Sequence, residues 1–303
     1  MDTPLHHRMK VGIIHFMAYP STIGGEGPVY ETVKKIVEDT YFDAISVSWI
    51  KDVAVRKNVA RLLGESRLEV AYGAHPRLLS QKLNLNHLDT NERRKAVDEI
   101  KAGIDEAVEI GAKSVVLLSG PWEKETEEDS FKALVESTLE LCDYAQQNGN
   151  LPIIHENFDH SIDKKSLIGP TPLALRYAQE VTKEKKNFGL AVDLSHIPLI
   201  GEKPEEALPP VKDYLATVDI GNCVLADTKH PRYGDTHPRF GAPGGENDVP
   251  ELVAFLKVLQ DIGFFDREER PVVSFEIRPF GDEDPEAYIA NAKRTLNEAW
   301  RRL

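Results

Sequence analysis

Eight short, nearly uninterrupted apolar runs recur along the chain: KVGIIHF (10–16), FDAISVSW (42–49), LEVAYGA (68–74), KSVVLLS (113–119), LPIIHEN (151–157), NFGLAVDL (187–194), YLATVDIGN (214–222) and PVVSFEI (271–277). A strand with one wet face alternates apolar and polar residues. A strand covered on both faces reads as these do, and that is the signature of a parallel sheet. Parallel neighbours need long crossovers, usually helical. Helical patterns fill the gaps. Residues 91–110 place Ala96, Ile100, Ile104, Ala107 and Val108 on one stripe, and Gly111 stops it. Residues 128–148 do the same with Phe131, Leu134, Val135, Leu139 and Leu141. Thr171-Pro172 and Asp284-Pro285 each read as an N-cap followed by proline at the first helical position. Residues 248–262 and 285–302 complete the set, and the sixth helix, around 204–212, is short and broken at Pro209-Pro210.

Eight strand–helix units in 303 residues predict an α/β fold, a single-domain (β/α)8 TIM barrel spanning 10–303, with residues 1–9 as a disordered lead-in. No GxGxxG follows the first run, which argues against a doubly wound dinucleotide fold. At 41% hydrophobic the chain can fill such a core. It has no apolar run of about 18 residues and no apolar segment in MDTPLHHRMK, so the expectation is a soluble, cytoplasmic protein with no membrane partner. Cys142 and Cys223 are too few for a disulfide scaffold and read as reduced thiols. A net charge of −13 opposes a phosphate backbone, so no nucleic-acid partner is expected.

A barrel carries its chemistry at the C-terminal ends of its strands. His15, Trp49, Lys51 and His75 stand near the first three ends. Glu156 ends the fifth run, Asp193 the sixth with His196 three residues on, Asp219 lies near the end of the seventh, and Glu276 closes the eighth with Arg278 after it. A single carboxylate after an apolar run usually marks where a strand meets water. Four on consecutive strands, about 5 Å apart, would share one small volume and repel one another there. A divalent cation resolves that conflict. Oxygen ligands favour Mg²⁺ or Mn²⁺, and an added imidazole moves the preference toward Mn²⁺, Co²⁺ or Zn²⁺.

At these residues the chain resembles the xylose isomerase-like TIM barrel superfamily, which holds sugar phosphate isomerases and epimerases, inosose dehydratases and the AP endonuclease family 2 nucleases. The resemblance covers about residues 10–300. It rests on NLNHLDTNERRKAVDEI with EAVEIGAKSVVLLSG, IIHENFD, VDLSH, SFEI and the loop GDTHPRFGAPGGEND. It implies a metal held by Glu, Asp, His and Glu from strands five to eight. Carried over, these are Glu156, Asp193 and Glu276, with the strand-seven ligand open. Ketose 3-epimerases show H-I-G where this chain has Asp219-Ile220-Gly221, so either Asp219 is the ligand or His237 reaches in from the loop. Asp235-Thr236-His237 matches the Asp-x-His spacing of the endonuclease-like members, and His230 reads as a loop residue.

The resemblance further implies proton abstraction beside a carbonyl through an enediolate, with Glu156 and Glu276 as base and acid on a small carbohydrate. His75, Asn157, His196, Asn222 and Arg278 are the expected substrate contacts, Trp49 and Lys51 further candidates, and Gly24-Gly25-Glu26-Gly27 a loop over the barrel mouth. Strand alternation turns His155 away from Glu156, toward the core. The alternative is a lyase on keto-sugars, of the inosose dehydratase or 3-oxo-glycoside and C-glycoside deglycosidase type, in which the same enediolate expels a leaving group. More remote are AP endonuclease action, which needs a His-rich zinc cluster, and a non-catalytic subunit. A homo-oligomer or a second subunit completing the site is compatible with the sequence.

Overall fold

The computed structural model describes residues 3–303. Eight parallel strands form one sheet: β1 (Lys10–Ile13), β2 (Ala44–Val47), β3 (Glu69–Gly73), β4 (Ser114–Leu117), β5 (Ile153–Glu156), β6 (Phe188–Asp193), β7 (Leu215–Gly221) and β8 (Val272–Glu276). The order is β1-β8-β7-β6-β5-β4-β3-β2. An Ile14–Ser46 bridge and a 2.8 Å bond from Asp43 N to Val11 O close the ring between β2 and β1. The chain is a (β/α)8 TIM barrel. Each apolar run holds its strand, trimmed at the ends. The first loses the most at its C-terminal end, because the backbone turns at Ile14 into helix α1 (His15–Ala18). That turn takes His15 off the sheet. It is buried, and its Nε2 lies 2.8 Å from Thr32 Oγ1.

The outer ring consists of α2 (Val29–Glu38), α3 (Val53–Ser66), α4 (His75–Gln81), α5 (Thr90–Ile110), α6 (Glu127–Gly149), α7 (Thr171–Thr182), α8 (His196–Ile200), α9 (Pro204–Ala207), α10 (Val249–Asp261) and α11 (Pro285–Arg301). In α5 the expected stripe is buried except for Val108, which a further 100° step around the helix leaves exposed. Gly111 terminates α5 with φ of +82°. Asp284 caps α11, accepting from Ala287 N at 2.9 Å. Thr171 does not cap α7. Its backbone N and its hydroxyl both donate to Glu202, at 2.9 and 2.6 Å, so a distant carboxylate satisfies the helix start. Pro209-Pro210 ends α9 in a short 3-10 turn, as its sequence implied.

Of the lead-in expected to be disordered, residues 1 and 2 lie outside the described residues. The remainder packs: Leu5–His7 form a 3-10 turn, Leu5 and Met9 are buried, and Trp300 Nε1 donates to Thr3 O at 2.9 Å. Cys142 and Cys223 are buried and unpaired with each other. Among the described residues no helix is long and apolar enough to cross a membrane.

The barrel interior departs from the usual filling by Val, Ile and Leu layers. Its inward positions include Ala44, Ser46, Ala71, Ser114, Thr217 and Ser274. These small side chains leave a cavity of about 270 Å³ that opens at the C-terminal mouth and reaches down among them.

Candidate active site

At the upper part of this cavity Glu156, Asp219, Asp235, His237 and Glu276 line the wall, and Asp193 and His196 meet them without lining it. Glu156, Asp193 and Glu276 are the last residues of β5, β6 and β8, and all three are buried. Each offers a carboxylate oxygen within 4.8 Å of the others. Asp193, His196 and His237 form a second such group, sharing Asp193. Asp193 is fixed by its own turn, since Ser195 N and Oγ donate to its two oxygens at 2.7 and 2.6 Å.

The two candidates for the strand-seven ligand occupy different places. Asp219 pairs in register with Asp193 on one side and with Ser274 on the other, so Gly221 stands beside Glu276. Asp219 lines the cavity but belongs to neither convergent group. His237 does. Its Nδ1 lies 3.8 Å from Asp193 Oδ2 and its Nε2 3.4 Å from Glu276 Oε1. A methyl group at Gly221 would come within 3.0 Å of that imidazole and 2.5 Å of Glu276 O. The bare glycine thus leaves the loop histidine the space that a strand-seven side chain would otherwise fill. His237 pays with a left-handed backbone, φ +47°, held by Arg278 N donating to His237 O at 2.7 Å. Gly221→Ala is expected to displace the ring and weaken Mn²⁺ binding about 10–100-fold, read by calorimetric titration. An unchanged affinity would remove His237 from the ligand set.

Two further participants come from loops. Asp235 is buried against both imidazoles, its Oδ1 2.9 Å from His237 Nε2 and 3.2 Å from His196 Nε2. Lys164 reaches its other oxygen at 2.8 Å. The lysine comes from the loop after β5, which Asp159 organises by accepting from the backbone N of Ile162, Asp163 and Lys164. The loop bearing Asp235 and His237 is itself pinned by Arg232, which donates to Thr236 O at 2.9 Å and Arg278 O at 2.6 Å. The sequence pointed to Asp235 through the Asp-x-His pair it forms with His237, whereas Lys164 carried no motif.

Other expected contacts divide by strand parity. His75 lines the cavity, its Nε2 3.1 Å from Glu156 Oε2. Arg278 lines it at the rim. Asn157 and Asn222 follow inward-facing positions and turn outward. The Asn157 carbonyl accepts from His196 Nδ1 at 2.8 Å, while Asn222 braces loops through Arg239 O and Asn247 N. Neither lines the cavity. Trp49 packs beneath Gly25 with Nε1 on Ile23 O, and Lys51 pairs with Glu26 at the surface, so both stand outside it. The glycine loop is tied down there, Lys51 N bonding Gly25 O at 2.9 Å, and only Gly24 reaches the cavity. His155 faces the outer core against Tyr177, and burial lowers its pKa to about 3. His230 braces its own loop through Arg232 N.

Charge in the cluster is unevenly distributed. Burial pushes Glu276 and Asp219 well above the carboxylate range, and the neighbouring Glu156 and Asp193 add to it. Burial also opposes ionisation of Glu156 and Asp235, yet both end below their ordinary values. His75 does this for Glu156; His237, Lys164 and His196 do it for Asp235. His196 is raised to about 10, burial being outweighed by Asp235 and Asp193. Glu156 Oε1, His75 Nε2, His196 Nε2 and Asp235 Oδ1 are buried without a well-aligned hydrogen bond. Orphaned polar atoms of this kind are costly, and a cation seated among the carboxylates would satisfy the oxygens. Three carboxylates and one imidazole suit a divalent ion of the Mn²⁺, Co²⁺, Zn²⁺ or Mg²⁺ group. Glu156, Asp193, His237 and Glu276 fit as its ligands. His196, already engaged by Asn157 O and Asp235, fits as their orienting neighbour.

The family model for the xylose isomerase-like TIM barrel matches residues 32–299. The chain belongs to that family. No curated protein matches the family member in sequence. Its fold recurs in solved structures. One is the IolI protein with a bound zinc atom (TM-score 0.72, 19% identity, 96% of this chain and 98% of that one). A second is a D-tagatose 3-epimerase-like protein (0.71, 19%, 97% and 99%). A third is 3-keto-D-glucoside 4-epimerase from E. coli (0.68, 17%, 95% and 99%). At these identities the likeness is one of fold.

Proposed function

We propose that this barrel is a divalent-metal-dependent epimerase or isomerase of keto-sugars. The observation that carries the reading is the convergence of Glu156, Asp193 and Glu276 on one buried point at the mouth of a cavity, with His237 filling the fourth position. The sugar epimerases among the structures of like fold agree with it. When bound there, a divalent cation would polarise a substrate carbonyl and make the adjacent C–H more acidic. The chain's residues supply the proton traffic. Glu156, held ionised beside His75, takes the proton. Glu276, on a strand three positions around the barrel, returns one to the other face of the planar carbon. Opposite environments for two carboxyl groups are how one site separates base from acid. His75 and Arg278, at the cavity wall, are placed to hold hydroxyls.

A second reading, a lyase, shares the first step and then expels a substituent on the next carbon. The specific observation in its favour is the Lys164 ammonium lining the same cavity, where it could protonate a departing oxygen. AP endonuclease action is disfavoured by the acidic cavity wall and the net charge of −13. The deciding experiment loads the protein with Mn²⁺ in D₂O, supplies ketohexoses and 3-keto-glucosides, and follows both by NMR. Deuterium beside the carbonyl with a new epimer supports the first reading, and a released aglycone the second. No exchange on any substrate would overturn both.

A further inference from the structure

The cavity has two chemically different halves. The carboxylates and imidazoles of β5–β8 form one. The other, above β1–β3, is mainly apolar: Ile14 at the end of β1, Phe16 and Met17 on α1, Ile23 on the loop that follows, and Leu79 on α4. Ile14, Phe16 and Met17, with Ile23 against them, form a cluster separate from the main core. These side chains pack on one another and on the cavity, and they do not fill space between barrel and helices. Leu79 is 48% exposed at the rim. The Phe16 ring crosses to β3, where a Cβ on Gly73 would lie 2.7 Å from it, so the absence of a side chain there admits the ring. Trp49 and Lys51 are turned out of this half; the polar side chains that α4 adds to the lining are Ser80, beside Leu79, and His75, which is engaged with Glu156.

A free hexose carries a hydroxyl on nearly every carbon. Pressed against this wall, those hydroxyls would lose water and gain no partner, which costs more than burying the carbons behind them returns. A flat hydrocarbon ring fits: it offers its face or edge to Phe16 and its edge to the Met17 thioether. We propose that the natural substrate is a keto-sugar bearing an aryl group, whose oxygen-rich head sits against Glu156, Asp193, His237 and Glu276 and whose ring lies on Ile14, Phe16, Met17, Ile23 and Leu79. This rests on the keto-sugar reading of the acidic half, and the test separates the two.

Hydroxamates imitate an enediolate toward a divalent ion without committing to any sugar. Acetohydroxamate, hexanohydroxamate and phenylacetohydroxamate are titrated calorimetrically into the Mn²⁺-loaded protein. Phenylacetohydroxamate is expected to bind about tenfold or more tighter than acetohydroxamate, and at least as tightly as the hexano compound. In Ile23→Ser and in Met17→Gln the aryl advantage is expected to fall to about threefold or less. Equal affinities of the acetyl and aryl compounds, both measurable, would overturn the apolar subsite and leave the keto-sugar reading standing. A hexano compound clearly tighter than the aryl one would overturn the aryl assignment. Binding of none would overturn the metal-centred reading beneath it.

Discussion

Glu276→Gln is expected to lower kcat by about 10³-fold, with KM changing little. General acid–base catalysis by one positioned group contributes about 10²–10⁴, and glutamine keeps the size of the side chain while removing both the ionisable proton and one anionic ligand oxygen. Glu156→Gln should fall as far, but the two losses should differ in origin. Glu156 has His75 at 3.1 Å to keep it ionised, so its replacement removes the base. Glu276 is paired with His237, at 3.4 Å, and its replacement removes the acid and slackens the ion. Substrate deuterated beside the carbonyl separates the roles. Wash-out of the label should vanish in Glu156→Gln, whereas Glu276→Gln should still release some label without forming the epimer. The double variant should be scarcely worse than either single one, because groups acting on one proton path are not additive. If Glu276→Gln retains more than about a tenth of wild-type turnover, proton transfer does not pass through it.

Sequence and structure agree where the physics is local or periodic. The eight strands were legible because each is an apolar run covered on both faces. Glu156, Asp193 and Glu276 were legible because each breaks such a run at its C-terminal end. The same alternation that sent His155 into the core also excludes Asn157 and Asn222 from the cavity, being the odd neighbours of inward residues. Register was harder. Only the pairing of Gly221 with Glu276 shows that the seventh strand presents a gap at the decisive height, and that His237 fills it. Lys164 and Arg232 depend on loops meeting across more than 40 residues of sequence, Lys164 on Asp235 and Arg232 on Arg278. No period or motif encodes such encounters. The apolar half of the mouth escaped for a further reason: Ile14 and Phe16 belong to the first apolar run, and only the backbone turn at Ile14 brings them, with Met17, to the cavity.

Metal should change the protein's stability in a pH-dependent way whose sign follows from the cluster. Glu276, Asp219 and His196 all have folded-state pKa values above their unfolded ones, so their stabilising contribution is complete below the unfolded values and is lost as pH rises through the folded ones. For His196 the window runs from its ordinary 6.5 to about 10. Glu156 and Asp235 are lowered, so theirs is present above the usual carboxylate range and lost only on acidification. The metal-free protein should therefore be most stable near pH 5–6 and melt progressively lower toward pH 9. Divalent ions bind the deprotonated ligands and release protons on binding, so their affinity should rise over that same range. At a free Mn²⁺ concentration about 1,000 times Kd, stabilisation is about 4 kcal/mol, a Tm rise of roughly 5–10 °C for a chain of this size. The increment should be largest near pH 8–9, shrink toward pH 5 where protons hold Glu276 and Asp219, and disappear in Asp193→Ala, which removes the carboxylate common to both ligand groups. Differential scanning fluorimetry with and without a chelator measures each of these. A metal increment that does not vary with pH, or that survives Asp193→Ala, would place the ion elsewhere in the molecule.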